Sequence, residues 1–145
     1  MKLIRWMAFA GGLALSSAAY AVEPCTLITP AQAAAAMGVP EAGTGQGTQR
    51  CQWVPKKYAP GPSKSVTLSL EDAKGFAAAH QPLGREITPV NGIGDEAVQT
   101  TTQGIRTVLT VKKGQVYFAV RVSGLPVADA KAAEQSLAKQ IVGKL

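Results

Sequence analysis

The sequence predicts an α+β domain, a mainly antiparallel sheet with helices packed on one face as a two-layer sandwich. Runs of strict alternation recur along it. Val66, Leu68 and Leu70 alternate with Ser65, Thr67 and Ser69, and Val116, Phe118, Val120 and Val122 alternate with Tyr117 and Arg121. Turns and short links join most of these runs, so neighbouring strands should run antiparallel. Amphipathic stretches at helical spacing lie between and after them, each with an apolar face to bury against the sheet.

The chain has 145 residues and a formal charge of +6. Lys2 and Arg5, the apolar run Trp6 to Leu15, and Ala19-Tyr20-Ala21 match the three regions of a secretory signal peptide cut after Ala21. Residues 1–21 are therefore assigned to a leader and 22–145 to a single α+β domain. Without Lys2, Arg5 and the other leader residues, 124 residues with a charge of about +4 remain. That length supports one core burying roughly two-thirds of the unfolded surface, not a multi-domain machine. The apolar run is well short of the roughly 20 residues that span a bilayer, so stable membrane insertion is not expected. Cys25 lies close behind the leader, but Val22, Glu23 and Pro24 before it fit lipoprotein processing poorly. The expected location is periplasmic or secreted. Export puts Cys25 and Cys51 in an oxidising compartment, where a pair of cysteines is expected to form a disulfide.

Taken in order, Thr29 is an N-cap, Pro30 the first helical residue, and Ala31 to Met37 a helix closed by Gly38. Glu41 to Gln49 holds Gly43, Gly45 and Gly47 with no apolar face and reads as a flexible loop. It is not a phosphate cradle, because no strand precedes it and no Gly-Lys-Ser/Thr appears. Arg50 to Val54 is a strand with Cys51 and Trp53 on one face. Pro55 to Ser63 is an exposed connection. After the Ser65–Leu70 strand, a helix from Asp72 to His80 turns Phe76 and Ala79 inward and ends at Pro82 and Gly84. Arg85 to Val90 is extended, Asn91 to Glu96 a tight turn, and Ala97 to Thr100 a short strand. Ile105, Thr107, Leu109 and Val111 then alternate with Arg106 and Lys112, and Lys113-Gly114 reverses the chain into the last strand, making a β-hairpin. The C-terminal helix, reaching about Val142, places Val127, Ala130, Ala133, Leu137 and Ile141 inward. Asp129, Lys131, Glu134, Lys139 and Lys144 fall on its other side.

The residue inventory argues against most enzyme classes. His80 is the one histidine, near a helix end where an imidazole complements the dipole, and no Gly-x-Ser-x-Gly presents a serine. No third ligand accompanies one histidine and two paired cysteines, so no metal and no cofactor are expected. Glu71-Asp72 sits where a helix begins and reads as capping. Asp95, following a Gly-rich turn, reads as an Asx-type element, and Asp95-Glu96 alone is far short of a calcium site. Nucleic acid is not an expected partner, given export and the lack of aromatics among the basic residues.

If the aliphatic sets face the helices, Ser65, Thr67, Ser69, Arg106, Thr110, Lys112, Tyr117 and Arg121 share the outer sheet face. Such a hydroxyl-rich, basic surface suits an anionic or sugar-like ligand or an envelope protein, with Thr67, Arg106, Lys112, Tyr117 and Arg121 as candidate contacts. Asn91, Asp95 and Glu96 are candidate loop contacts.

Cys25-Thr26-Leu27-Ile28-Thr29 opens an alanine-rich helix that closes at Gly38. Cys51-Gln52-Trp53, Gly92-Ile93-Gly94-Asp95-Glu96-Ala97, and a strand, Lys-Lys-Gly and strand follow. Across most of the chain beyond the leader, this pattern resembles the small exported proteins and lipoproteins of unknown function best represented in actinobacteria. The resemblance implies a compact, cysteine-paired α+β envelope domain and brings no catalytic residues with it. The chain departs from the lipoprotein members in lacking their lipidation signal. The expected function is a non-enzymatic exported domain binding another envelope component through its outer sheet face or its Gly-rich loops. The alternatives are an inhibitor of an exported hydrolase, such as a lysozyme or a protease, and a small enzyme using His80.

Overall fold

The computed structural model describes residues 22–145 apart from Gln46 and Ala59, so the leader assigned to 1–21 lies outside the described residues. After a short 3-10 turn at Pro24–Thr26 come α1 (Pro30–Met37), β1 (Ala42–Gly45), β2 (Arg50–Pro55), β3 (Ser65–Glu71) and α2 (Ala73–Ala79). Then follow β4 (Arg85–Val90), β5 (Glu96–Thr102), β6 (Arg106–Lys113), β7 (Val116–Ser123) and α3 (Val127–Val142). The seven strands form one sheet in the order β1-β2-β3-β7-β6-β5-β4, antiparallel at every step. The α+β class and the antiparallel sheet are as the sequence predicts.

Local chemistry sets the helix ends. Thr29 accepts from the Gln32 amide at 3.1 Å while the Gln32 side chain accepts from the Thr29 amide at 2.9 Å, a reciprocal capping box. Asp72 caps α2 by accepting from the Gly75 amide at 2.6 Å. The core lies between the sheet and the pair α1 and α3. Trp53, Val66, Leu68, Leu109, Val111, Phe118 and Val120 are fully buried there, against Ala33 and Met37 of α1 and Leu137, Ala138 and Ile141 of α3. Cys25 and Cys51 form the expected disulfide, with both sulfurs beside the Gly45 carbonyl oxygen, at 3.8 and 3.2 Å. The bridge thus ties the start of the described chain to the β1 side of the sheet. Among the described residues no helix is long and apolar enough to cross a membrane.

Four details differ from the sequence reading. Residues 42–45, expected within a flexible loop, form the edge strand β1, paired with β2 from Ala42–Pro55 to Gly45–Gln52. Backbone pairing needs no apolar periodicity, which is why the glycines concealed it. Ile105 is not inward: it is 76% exposed, placed in the β5–β6 turn after Gln103, whose φ is 53°. The α3 face is rotated from the expected one, because Ala130, Glu134, Leu137, Ala138 and Ile141 are the buried set and Glu134 is fully enclosed.

The last detail refines the two-layer picture. The chain leaves β3 near the middle of the sheet and must reach β4 at the far edge, and α2 makes that crossing. Its Phe76 ring lies 5.4 Å from the ring of Tyr117, whose sheet neighbour Phe118 points into the core. Side chains alternate along a strand, so α2 crosses the face opposite α1 and α3.

Candidate functional site

The crossing of α2 divides the outer face in two. Under the helix, Phe76 is buried against Tyr117, and Lys112 extends its ammonium to 6.0 Å from the Tyr117 ring centroid. Thr110, expected to be wet, is buried, paired with Ala119 of β7. Beyond the helix, the outward residues of β2, β3 and β7 stay open and enclose a groove of about 480 Å³.

Strand register builds that groove. Gln52, Thr67 and Arg121 form one row across β2, β3 and β7, and Arg50, Ser69 and Ala119 form the next. Ser65, Thr67 and Ser69 thus make a line of hydroxyls along β3, with Arg50 and Arg121 placed diagonally on either side. From strand spacing and rise, the two arginine Cα atoms stand roughly 12 Å apart. Arg50 Nε donates to Ser69 Oγ at 3.3 Å. Glu71 closes the groove next to the N-terminus of α2. Burial, then the neighbouring Asp72, push its carboxyl up from the usual carboxylate range, and Arg50 acts against them.

Of the residues singled out in the sequence, Thr67 and Arg121 line this groove, whereas Tyr117 and Lys112 belong to the half beside α2. Arg106 is exposed at the start of β6 and is not part of the lining. Arg50, Gln52 and Glu71 were missed. The signal for the first two was present, since they alternate with the inward Cys51 and Trp53.

The β6–β7 ladder runs from Lys113–Val116 to Leu109–Val120 and stops. Residues 106–108 of β6 and 121–123 of β7 therefore part, although β6 stays paired with β5 and β7 with β3. From the core side Glu134 fills the parting. Its carboxylate accepts from Thr107 Oγ1, 2.9 Å from Oε2, and from Gln99 Nε2 at 3.0 Å, and the Val122 backbone beside it also favours the ionised form. Burial raises its pKa to about 7. The Thr107, Gln99 and Val122 hydrogen bonds and the Arg121 charge on the opposite face pull the other way. Gln99 Oε1 is buried without a partner. On the groove side, Val108, Arg121 and Ser123 border the same parting.

The loop candidates sit apart from the groove. The Asp95 carboxylate accepts from the Gly114 amide at 2.7 Å and so braces the β6–β7 turn rather than its own backbone. Glu96 pairs with His80 Nε2 at 3.0 Å, and Asn91 is exposed. The other His80 nitrogen, Nδ1, lies 2.9 Å from the Phe76 carbonyl oxygen, so both ring nitrogens face acceptors. Among the described residues no cluster of three or more His, Cys, Asp or Glu side chains is arranged to hold a metal ion.

Comparisons with protein-family models, with curated proteins and with solved structures return no match.

Proposed function

We propose that the protein is an exported, non-enzymatic binding domain, periplasmic or secreted, that takes an anionic, hydroxyl-bearing component of the cell envelope in the open groove of its outer sheet face. The observation that carries this reading is the diagonal pair Arg50 and Arg121 across the Ser65-Thr67-Ser69 line. Two guanidinium groups bind carboxylate or phosphate oxygens in fork geometry, and the hydroxyls between them both donate to and accept from sugar hydroxyls. Arg50, Gln52, Thr67, Glu71 and Arg121 line the groove with polar and charged groups, which suits a solvated, charged ligand. His80 supports the non-enzymatic part, because its ring lies against the Phe76 carbonyl oxygen of its own helix and the Glu96 carboxylate of β5, where it ties α2 to the sheet.

The test is titration of a short oligogalacturonate into the isotope-labelled domain, followed by amide shifts. Binding should perturb Ser65, Thr67, Ser69 and Arg121, and Arg50→Glu with Arg121→Glu should abolish it. Binding that survives the double substitution, or shifts centred on the 91–96 turn, would refute the groove.

A second reading is inhibition of an exported hydrolase through the Asn91–Glu96 turn. One observation favours it: buried Ile93 and the Asp95–Gly114 hydrogen bond hold this exposed turn in shape before any partner arrives. Inhibition assays against lysozymes and proteases with Asn91 substituted separate the two readings.

A further inference from the structure

We propose that Glu134 is a proton-operated regulator of the groove. With its carboxyl protonated, Arg121 offers its full charge to an anion on the outer face. With the carboxyl ionised, that charge is partly neutralised through the parting between β6 and β7. The inference rests on the groove reading above and adds a control to it.

The geometry carries the argument. A paired sheet would separate a core carboxylate from an outer-face arginine by a continuous ladder of hydrogen bonds. Here the ladder ends at Leu109–Val120, and Arg121 is the residue just past that end. The groups facing Glu134 are Thr107 from β6, Gln99 from β5, and the Val122 backbone and Arg121 charge from β7. Helix α1, which packs beside α3, contains no titratable residue. Arg121 is thus the charge to which the carboxylate is coupled, and it is also a groove residue. A pKa of about 7 puts the change of state near neutrality.

Coupling of this kind is reciprocal. An anion on Arg121 competes with the Glu134 carboxylate for the same charge, so it favours protonated Glu134. Protonation of Glu134 in turn tightens the anion. A coupling free energy of the size usual between linked sites gives an expected change in affinity of roughly tenfold. Glu71 also lines the groove with a raised pKa and needs its own control.

The experiment measures oligogalacturonate affinity from about pH 5.5 to about pH 8, a range in which the ligand stays ionised. Wild type should bind roughly tenfold more tightly at the acidic end, Glu134→Gln should bind tightly throughout, and Glu71→Gln should keep the step. In carboxyl-carbon NMR without ligand, Arg121→Met should raise the Glu134 titration midpoint. Binding that does not vary with pH, or a step that survives Glu134→Gln and vanishes in Glu71→Gln, overturns the regulation and leaves the groove intact. An unmoved Glu134 midpoint in Arg121→Met also overturns it. No binding at any pH overturns the groove reading itself.

Discussion

Thr107 Oγ1 stands within hydrogen-bond reach of both carboxylate oxygens of Glu134, 2.9 Å from Oε2. This contact joins the start of β6 to the middle of a helix within the stretch where β6 and β7 are not paired. A carboxylate buried without donors would cost several kcal/mol, and the Thr107 and Gln99 donors lower that cost without cancelling it. Burial still exceeds the hydrogen bonds in setting the ionisation of Glu134, which is why its pKa lies above rather than below the usual value.

Stability should fall as pH rises through the neutral range. The folded pKa of Glu134 is about 7 against 4.5 for the free side chain, so between these values the folded state holds the proton that the unfolded chain has released. The slope of unfolding free energy with pH is then negative. The contribution is fully present below about pH 4.5 and lost as pH passes about 7, a total on the order of 3 kcal/mol. Denaturant unfolding at several pH values measures it. Glu134→Gln should flatten most of the slope and be the more stable protein in mild alkali; an unchanged slope would show that Glu134 does not titrate in this way.

How much of this was legible follows from what each signal measures. Alternation reports strand faces well, so β3 and β7, the shared face of Cys51 and Trp53, and the position of Thr67 and Arg121 are read directly. It fails where polarity is used as a stand-in for exposure. Charge alone puts Glu134 on the wet side of α3 and an aliphatic side chain alone puts Ile105 on the dry side, yet Glu134 is enclosed and Ile105 exposed. Register is a relation between distant segments, and no local pattern in the sequence states that β7 lies against β3. The groove depends on that pairing, so Arg50 and Gln52 could be assigned a face but not a partner. Alternation likewise predicts one dry and one wet face, whereas the route of α2 from β3 to the far edge covers part of the outer one.

The disulfide should contribute measurably to stability. Cys25 and Cys51 are 26 residues apart, and closing a loop of that size restricts the unfolded chain by about 3 to 4 kcal/mol in the chain-entropy description. Cys51 is fully buried, so replacing it with serine also encloses a hydroxyl. Cys51→Ser should therefore be less stable than Cys25→Ala with Cys51→Ala, which removes the link without adding a polar group. Thermal unfolding of both, with and without reductant, checks the order. A wild type unaffected by complete reduction would show that the link adds nothing.

Two glycines in the 91–96 turn should respond differently to alanine. Gly92 has φ of +83° and free space around the missing side chain, so alanine adds only backbone strain, about 1 kcal/mol. Gly94 has φ of +61°, and a Cβ there would come within 2.6 Å of the Lys112 carbonyl oxygen and 2.8 Å of Val111 Cγ1. The turn would have to move off the end of β6, taking the Asp95–Gly114 contact with it. Gly94→Ala should lose at least about 2 kcal/mol more than Gly92→Ala. Equal melting temperatures for the two variants would mean that this close approach does not hold the turn.

Helix α2 should be the weakest-held helix of the fold. It has seven residues, and Phe76 is its one buried side chain. Its other ties include the Asp72 cap at the start and, at the end, His80 bonded to Glu96 and Arg85 donating from Nη2 to the Ala78 carbonyl at 2.5 Å and from Nε to the Gln81 carbonyl at 3.0 Å. The His80–Glu96 pair is well exposed, so its net contribution is small and screened by solvent. His80→Ala should leave global stability within about 1 kcal/mol of wild type while speeding amide exchange in 73–80. Phe76→Ala removes the buried ring, so it should speed the same amides further and expose Tyr117 to solvent. Exchange in α2 as slow as in α3, in the wild type and in both variants, would show instead that the crossing helix is held as firmly as the core.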